Sequence, residues 1–179
     1  MEIKAVTRDF ADINRLFAIN DEAFPDDERI PNSRFFDLHE QFGFTIWAFY
    51  ENDIMVGFAT MLHNPKYKMC YLWYFAIAHD CRRRNYGSQA MHLLQSVFPD
   101  AQIVLDMEQM TPGAQNYEQR VSRLRFYERN GFHRSMIAIT YFGMHLELLF
   151  SQPPFRFDDF KALVGEYANT NFQPKFYKL

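Results

Sequence analysis

Phe75-Ala-Ile-Ala-His-Asp-Cys-Arg82-Arg83-Arg84-Asn85-Tyr86-Gly87-Ser88-Gln89 runs from an apolar strand through a basic loop into the start of a helix. Before it, Tyr71-Leu-Trp-Tyr-Phe-Ala-Ile77 is apolar on both faces, the pattern of a central strand covered by a layer on each side. After it, Ala90, Leu93, Leu94 and Val97 take helical spacing from Gly87, and residues 102–108 return to a strand pattern. Strand, helix and strand in this order predict a βαβ-like core.

The junction suits a diphosphate. The first turn of a helix leaves backbone N–H groups unpaired at the positive end of the macrodipole, so polyphosphate oxygens collect several donors there without side chains. Arg82, Arg83 and Arg84 add charge that persists at any working pH and bind phosphate oxygens bidentately. Gly87 lets a ligand approach the backbone closely. Three arginines alone are as readily a solvated charge run. The strand before them and the Gly-Ser helix start after them favour the phosphate site.

Residues 2–6 alternate as a strand, and Phe10, Ile13, Leu16 and Phe17 then take helical spacing, with Thr7 the expected N-cap. Phe24-Pro25 ends that pattern, and Asp26-Asp27-Glu28-Arg29-Ile30-Pro31 reads as an exposed acidic loop, a candidate lid, before a short helix near 32–41. Residues 44–51 and 54–62 form a hairpin around Asn52-Asp53, a pair that tolerates the positive φ of a tight turn. Residues 116–130 read as a polar helix closed by Asn130-Gly131, with Gly131 left-handed. A last hairpin over 135–150 turns near Phe142-Gly143. The tail beyond holds Pro153-Pro154, a short helix near 158–166 and an end without periodicity.

A chain of 179 residues, 48% of them hydrophobic, fits one domain. Twenty Phe, ten Tyr and nine Met make the core aromatic and adaptable, so an isolated Phe or Met is a packing residue. A net charge of −3 gives no global attraction for nucleic acid or an anionic membrane, and an RNA-binding reading of the basic loop finds no matching aromatic motif. Cys70 and Cys81 assemble neither a metal-ligand spacing nor a disulfide framework, so two reduced thiols and no metal are expected. The start does not read as a signal peptide, and no apolar run approaches the ~18 residues of a membrane span. The expectation is a cytoplasmic protein with no membrane or nucleic-acid partner.

Arg82-Arg-Arg-Asn-Tyr-Gly87 resembles motif A of the GNAT acetyltransferase superfamily, Arg/Gln-x-x-Gly-x-Gly/Ala, which grips the pyrophosphate of acetyl-CoA. Arg82 falls on the first basic position and Gly87 on the last glycine. Asn85 replaces the middle one, and Asn is the non-Gly residue most at ease in left-handed backbone. Ser122-Arg-Leu-Arg-Phe126-Tyr127-Glu-Arg-Asn-Gly131-Phe132 is similar to the family helix that ends Phe-Tyr-x-x-x-Gly-Phe. The order of elements agrees over residues 2–150. Phe24-Pro-Asp-Asp-Glu-Arg-Ile-Pro31 and Leu105-Asp-Met-Glu108 look like features of a bacterial subgroup.

The resemblance implies an α/β (α+β mixed) fold: a central, mostly antiparallel, twisted mixed sheet flanked by helices, with acetyl-CoA in a cleft beside the central strand. It implies a domain over 1–150, with 151–179 a C-terminal extension packed on it. The implied activity is transfer of an acetyl group to an amine, on a small molecule or a peptide or protein nitrogen, by direct attack in a monomer or homodimer. Backbone groups of Phe75, Ala76 and Ile77 would hold the pantetheine and thioester. Arg82, Arg83, Arg84, Asn85, Tyr86, Gly87 and Ser88 would hold the pyrophosphate, with Asn116 and Tyr127 completing the CoA contacts.

Tyr127 matches the tyrosine beside the sulfur, where a phenol of pKa about 10 can donate to the departing thiolate. The position of a base glutamate in some relatives is Tyr71, protonated at neutral pH. Strand alternation puts Val104, Asp106 and Glu108 on one face. Glu108, nearer the strand's C-terminal end, is the candidate base. Asp106 and Glu28 are the candidate contacts to a cationic amine, with Asp26 and Asp27 supporting Glu28. His63 and His79, near strand ends, take no role. The second reading is a non-catalytic CoA-binding sensor or interaction module, which the tyrosine at 71 favours and Tyr127 opposes.

Overall fold

The computed structural model describes residues 1–26, 28–168 and 172–179. Asp27 lies outside the described residues. The chain forms two compact units, Met1–His63 with Leu72–Pro99, and Asn64–Tyr71 with Asp100–Leu179. The architecture is mixed α/β, with eight mostly antiparallel strands flanked by helices, as expected.

In the first unit β1 (Glu2–Val6), β2 (Phe44–Glu51), β3 (Ile54–Asn64) and β4 (Met69–Ile77) lie side by side in that order. β1 pairs with β2 antiparallel from Glu2↔Tyr50 to Val6↔Ile46, and β2 with β3 antiparallel across a turn in which Asn52 and Asp53 take φ of 48° and 62°. Helix α1 (Ile13–Ala23) starts six residues later than Thr7 because the Thr7 hydroxyl donates to the Asp9 carboxylate at 2.5 Å and Phe10 N bonds back to Thr7 O, closing a local turn in place of a cap. Leu16 and Ile19 then bury fully. A short 3-10 turn (Asn32–Arg34) leads into α2 (Phe35–Phe42), which ends at left-handed Gly43. Phe35, Phe49 and Phe58 are fully buried, with Phe35 and Phe58 edge-to-face at 5.9 Å.

α3 (Tyr86–Val97) buries Ala90, Met91 and Leu94. At Gly57 the strands meet so closely that a Cβ would lie 2.4 Å from the Ala76 carbonyl oxygen and 2.8 Å from Ile77 Cδ1.

The second unit holds the first residues of β4, then β5 (Gln102–Glu108), β7 (Met144–Ser151), β6 (Phe132–Tyr141) and β8 (Lys175–Lys178) in that order. β5 pairs with β7, β6 with β7 and β6 with β8, all antiparallel. The last hairpin turns at Phe142 and Gly143, both at positive φ, as the sequence predicts. α4 (Tyr117–Arg129) closes at left-handed Gly131. Across β6 and β7, Arg134 makes two hydrogen bonds, 2.9 and 2.6 Å, to the buried Glu147.

The tail is built into this unit. Gln102 donates to the carbonyls of Gln152 and Pro154 and accepts from Arg156 N, α5 (Phe157–Gly165) buries Phe160, Leu163 and Val164, and β8 adds to β6 from Ile137↔Lys178 to Thr140↔Lys175. A four-residue strand is too short to show a period, so its pattern is absent from the sequence. Among the described residues no helix is long and apolar enough to cross a membrane.

Because the atom facing Gly57 is a backbone oxygen that cannot rotate away, Gly57→Ala is expected to destabilise the protein by about 1–3 kcal/mol. Urea denaturation monitored by tryptophan fluorescence measures it; an unchanged midpoint would show that the strands separate there at little cost.

Candidate functional site

The end of β4 carries the basic loop. After Ile77 the chain bonds Ala78 N to Val56 O at 2.9 Å and makes a 3-10 turn, His79–Cys81, whose Cys81 is buried. Asp80 of this turn is bonded to Arg15 of α1 at 2.8 and 3.1 Å, and His79 N donates to Glu22 at 2.7 Å. The turn is therefore fixed from α1. Arg82 folds back, donating from Nε to Ile77 O at 3.1 Å.

Arg83 and Asn85 both take left-handed backbone, φ 63° and 62°. Asn85 is the N-cap of α3 and makes no side-chain cap hydrogen bond, so its side chain leaves the first-turn N–H groups of α3 untaken. Arg82, Arg83 and Arg84 are exposed, and among the described residues Arg83 and Arg84 form no salt bridge. An open helix N-terminus preceded by unpaired guanidinium groups fits a diphosphate. The position where the motif's middle glycine is missing has the backbone conformation glycine would supply.

The acidic loop belongs to the same unit and is tied down. Buried Asn20 donates to Ile30 O at 3.1 Å and to Asn32 Oδ1 at 3.0 Å, Arg29 pairs with Asp26 at 2.7 Å, and the Tyr74 hydroxyl donates to Glu28 O at 2.8 Å. The carboxyl-bearing side chains of Asp26 and Glu28 remain at the surface.

The second unit carries a carboxylate cluster. Tyr71 and Tyr141 both donate to Asp106 Oδ2, at 2.5 and 2.8 Å, and their hydroxyl oxygens lie 3.1 Å apart. Burial pushes the Asp106 carboxyl up to about 6, against the two tyrosine hydrogen bonds that favour its charged form and with a smaller push from Glu108. Tyr71 is fixed further by an edge-to-face contact with Phe160 of α5 at 5.4 Å.

Glu108, two residues along, has a different environment. Arg123 of α4 reaches both of its oxygens at 2.5 Å, and Asn116 donates to Oε1 at 3.1 Å. Asn116 in turn accepts from Arg120 Nε at 2.7 Å, so its side chain links β5 to α4 rather than capping the helix. The carboxylate expected to be the base is thus neutralised by a guanidinium.

Tyr127, on the same helix, packs on Phe126 and Phe132 at 5.3 and 5.9 Å. Burial pushes its phenol up to about 12, Arg123 lowers it, and Asp106 and Glu108 raise it. Among the described residues no hydrogen bond engages its hydroxyl. Asp106, Glu108 and Tyr127 thus influence one another, as the alternation along β5 anticipates. The pairing of Tyr71 and Tyr141 with Asp106 was not legible, because it joins positions 35 residues to either side. Among the described residues no group of three or more His, Cys, Asp or Glu is placed to hold a metal.

A GNAT-family protein from Bacteroides thetaiotaomicron aligns over 91% of this chain and 93% of its own, at 19% identity and TM-score 0.72. The ribosomal-protein-alanine N-acetyltransferase from Brucella melitensis aligns over 86% and 100%, at 16% identity and TM-score 0.61. A GNAT acetyltransferase from Elizabethkingia anophelis, solved with acetyl-CoA bound, aligns over 85% and 97%, at 13% identity and TM-score 0.57. No curated protein matches the chain significantly. The structural likenesses establish the fold. Residues 11–132 match the family model described as the Acetyltransferase (GNAT) family, which holds both the basic loop and the Tyr127 helix, and the chain belongs to that family.

Proposed function

We propose that this acetyltransferase moves the acetyl group of acetyl-CoA to an amine, on a small molecule or a peptide or protein nitrogen, by direct attack. The observation that carries the proposal is the loop: left-handed Asn85 opening an uncapped α3, with Arg83 and Arg84 exposed beside it. Bound acetyl-CoA would supply an activated thioester. Arg82–Ser88 would hold the diphosphate, with Arg82 also bracing the loop against Ile77 O. Backbone groups of Phe75, Ala76 and Ile77 would hold the pantetheine and thioester, with Ile77 O also accepting from Arg82 Nε.

Tyr127 is assigned the acid role. A phenol held protonated up to about 12, with no hydrogen bond to its hydroxyl among the described residues, retains its proton for a developing thiolate at neutral pH. Glu108, Asn116 and Arg123 tie the helix that carries Tyr127 to β5. Exposed Glu28, whose backbone is held by Tyr74, is suited to meet a cationic acceptor at the surface. The sensor reading rested on a tyrosine replacing a glutamate at 71. That tyrosine is bonded to a carboxylate, Asp106, which favours the enzyme.

Residues 1–150 are read as the catalytic domain and 151–179 as an extension of it, which the pairing of β8 with β6 supports. The enzyme is read as cytoplasmic and bacterial, a monomer or homodimer; its two free, buried cysteines accord with a reducing compartment.

Calorimetric titration of acetyl-CoA is expected to give micromolar affinity, about −8 kcal/mol, in wild type and none in Arg82→Ala/Gly87→Glu, which removes a cation and adds bulk and charge at the helix start. A folded wild type that does not bind would overturn the acetyltransferase reading. In a thiol-release assay over a panel of primary amines, Tyr127→Phe is expected to lower kcat by at least about a hundredfold while leaving acetyl-CoA affinity unchanged. An unaltered kcat would remove Tyr127 from the chemistry.

A further inference from the structure

We infer that Asp106 is the proton acceptor for the amine, working through Oδ1, and that Tyr71 and Tyr141 are the positioning residues that hold it for that task. The inference rests on the acetyl-transfer reading and adds the base to it.

Both tyrosine hydroxyls converge on one oxygen, Oδ2, at 2.5 and 2.8 Å. Tyr71 and Tyr141 are 2% and 5% exposed, so the two donors are fixed by packing on separate strands, β4 and β6, around a carboxylate on β5. Two donors on the same oxygen fix the plane of the carboxylate and leave the other oxygen to act. Among the described residues no hydrogen bond reaches Oδ1, and Asp106 is not among the wholly buried residues. Glu108 offers the contrast: both its oxygens are bonded to Arg123, so neither is left open to a substrate.

The groups that face Asp106 are Tyr71 from β4, Tyr141 from β6, Glu108 on its own strand and Tyr127 from α4, beside Arg123. Its cross-strand partner on β7 is apolar Leu148. No cation is bonded to Asp106 among the described residues. Burial, the largest effect, raises the carboxyl to about 6, and the tyrosines restrain the rise. A base poised there is ionised at neutral pH and stronger than an ordinary aspartate. The tyrosine that occupies the position of a glutamate is thus partner to a carboxylate carried on β5.

The step balances as follows. Asp106 Oδ1 takes one proton from the substrate ammonium, leaving a neutral amine whose nitrogen lone pair forms the C–N bond to the acetyl carbonyl carbon. The C–S bond breaks with its electron pair going to sulfur, and the Tyr127 hydroxyl protonates that sulfur. The proton remaining in excess on nitrogen returns through water to the Tyr127 oxygen, and Asp106 releases its own to solvent. The products are the N-acetyl amine, the free CoA thiol and one proton.

The test combines two measurements on the full chain. In the amine-panel assay, kcat/KM of wild type is expected to fall below pH about 6, and Asp106→Asn to lose at least about a hundredfold in kcat while keeping acetyl-CoA affinity. Tyr71→Phe and Tyr141→Phe each remove a hydrogen bond to the charged form, so the acid limb is expected to move to higher pH in both. A merely structural role would lower activity evenly across pH. Carbon-13 NMR of labelled aspartate carboxyls is expected to show the same upward shift without any substrate. Wild-type turnover that Asp106→Asn retains within twofold, or an Asp106 carboxyl that titrates unchanged in Tyr71→Phe and Tyr141→Phe, would overturn the inference alone. Wild type that binds acetyl-CoA but acetylates no amine would overturn the acetyl-transfer reading, and the base with it.

Discussion

Strand β4 is buried over most of its length, with Trp73, Phe75 and Ile77 half-buried, and a buried segment must find a partner for every polar group it carries, because an unpaired donor or acceptor away from water costs about as much as a lost hydrogen bond. The partners its tyrosine hydroxyls find lie far from it in the sequence. In the second unit the Tyr71 hydroxyl takes Asp106. In the first, Tyr74 N takes the buried Thr60 hydroxyl, and the Tyr74 hydroxyl takes the backbone of the acidic loop at Glu28. At the strand's end Ile77 O takes Arg82, and Ala78 N takes Val56 O. Within the second unit this holds Asp106, and within the first it holds the acidic and the basic loop.

Asp106 and Glu108 show how two carboxylates on one strand face acquire different chemistry from their surroundings. Hydroxyls bond Asp106 and a guanidinium bonds Glu108. A neutral donor orients a carboxylate without cancelling its charge, so burial still raises its proton affinity. A guanidinium at 2.5 Å compensates the charge of Glu108. The ion pair then has a mechanical use: it joins β5 to the helix that bears Tyr127.

The basic loop reaches its conformation against some resistance. Left-handed backbone at Arg83 carries the steric penalty of a Cβ near the following carbonyl, roughly 1–2 kcal/mol, whereas Asn85 tolerates it better. The surrounding turn is tied by Arg15–Asp80 and by His79 N to Glu22. Those contacts hold the loop in one conformation from within the protein itself.

The sequence by itself determined the elements whose signals are local. The continuous apolar run of β4, the Gly-Ser start of α3 and the Asn-Gly end of α4 each lie within a dozen residues, and the two family motifs are local as well. It also placed Asp106 and Glu108 on one face, since alternation is a property of a single strand. Thr7 misled because a hydroxyl that suits a cap suits a turn equally, and the neighbouring Asp9 took it. Only the tertiary structure decided which carboxylate pairs with a guanidinium, which with two hydroxyls, and that the aperiodic tail supplies β8. Those outcomes depend on hydrogen bonds between residues such as Tyr71, Asp106 and Tyr141, and nothing in a linear pattern records which distant side chains packing brings within 3 Å.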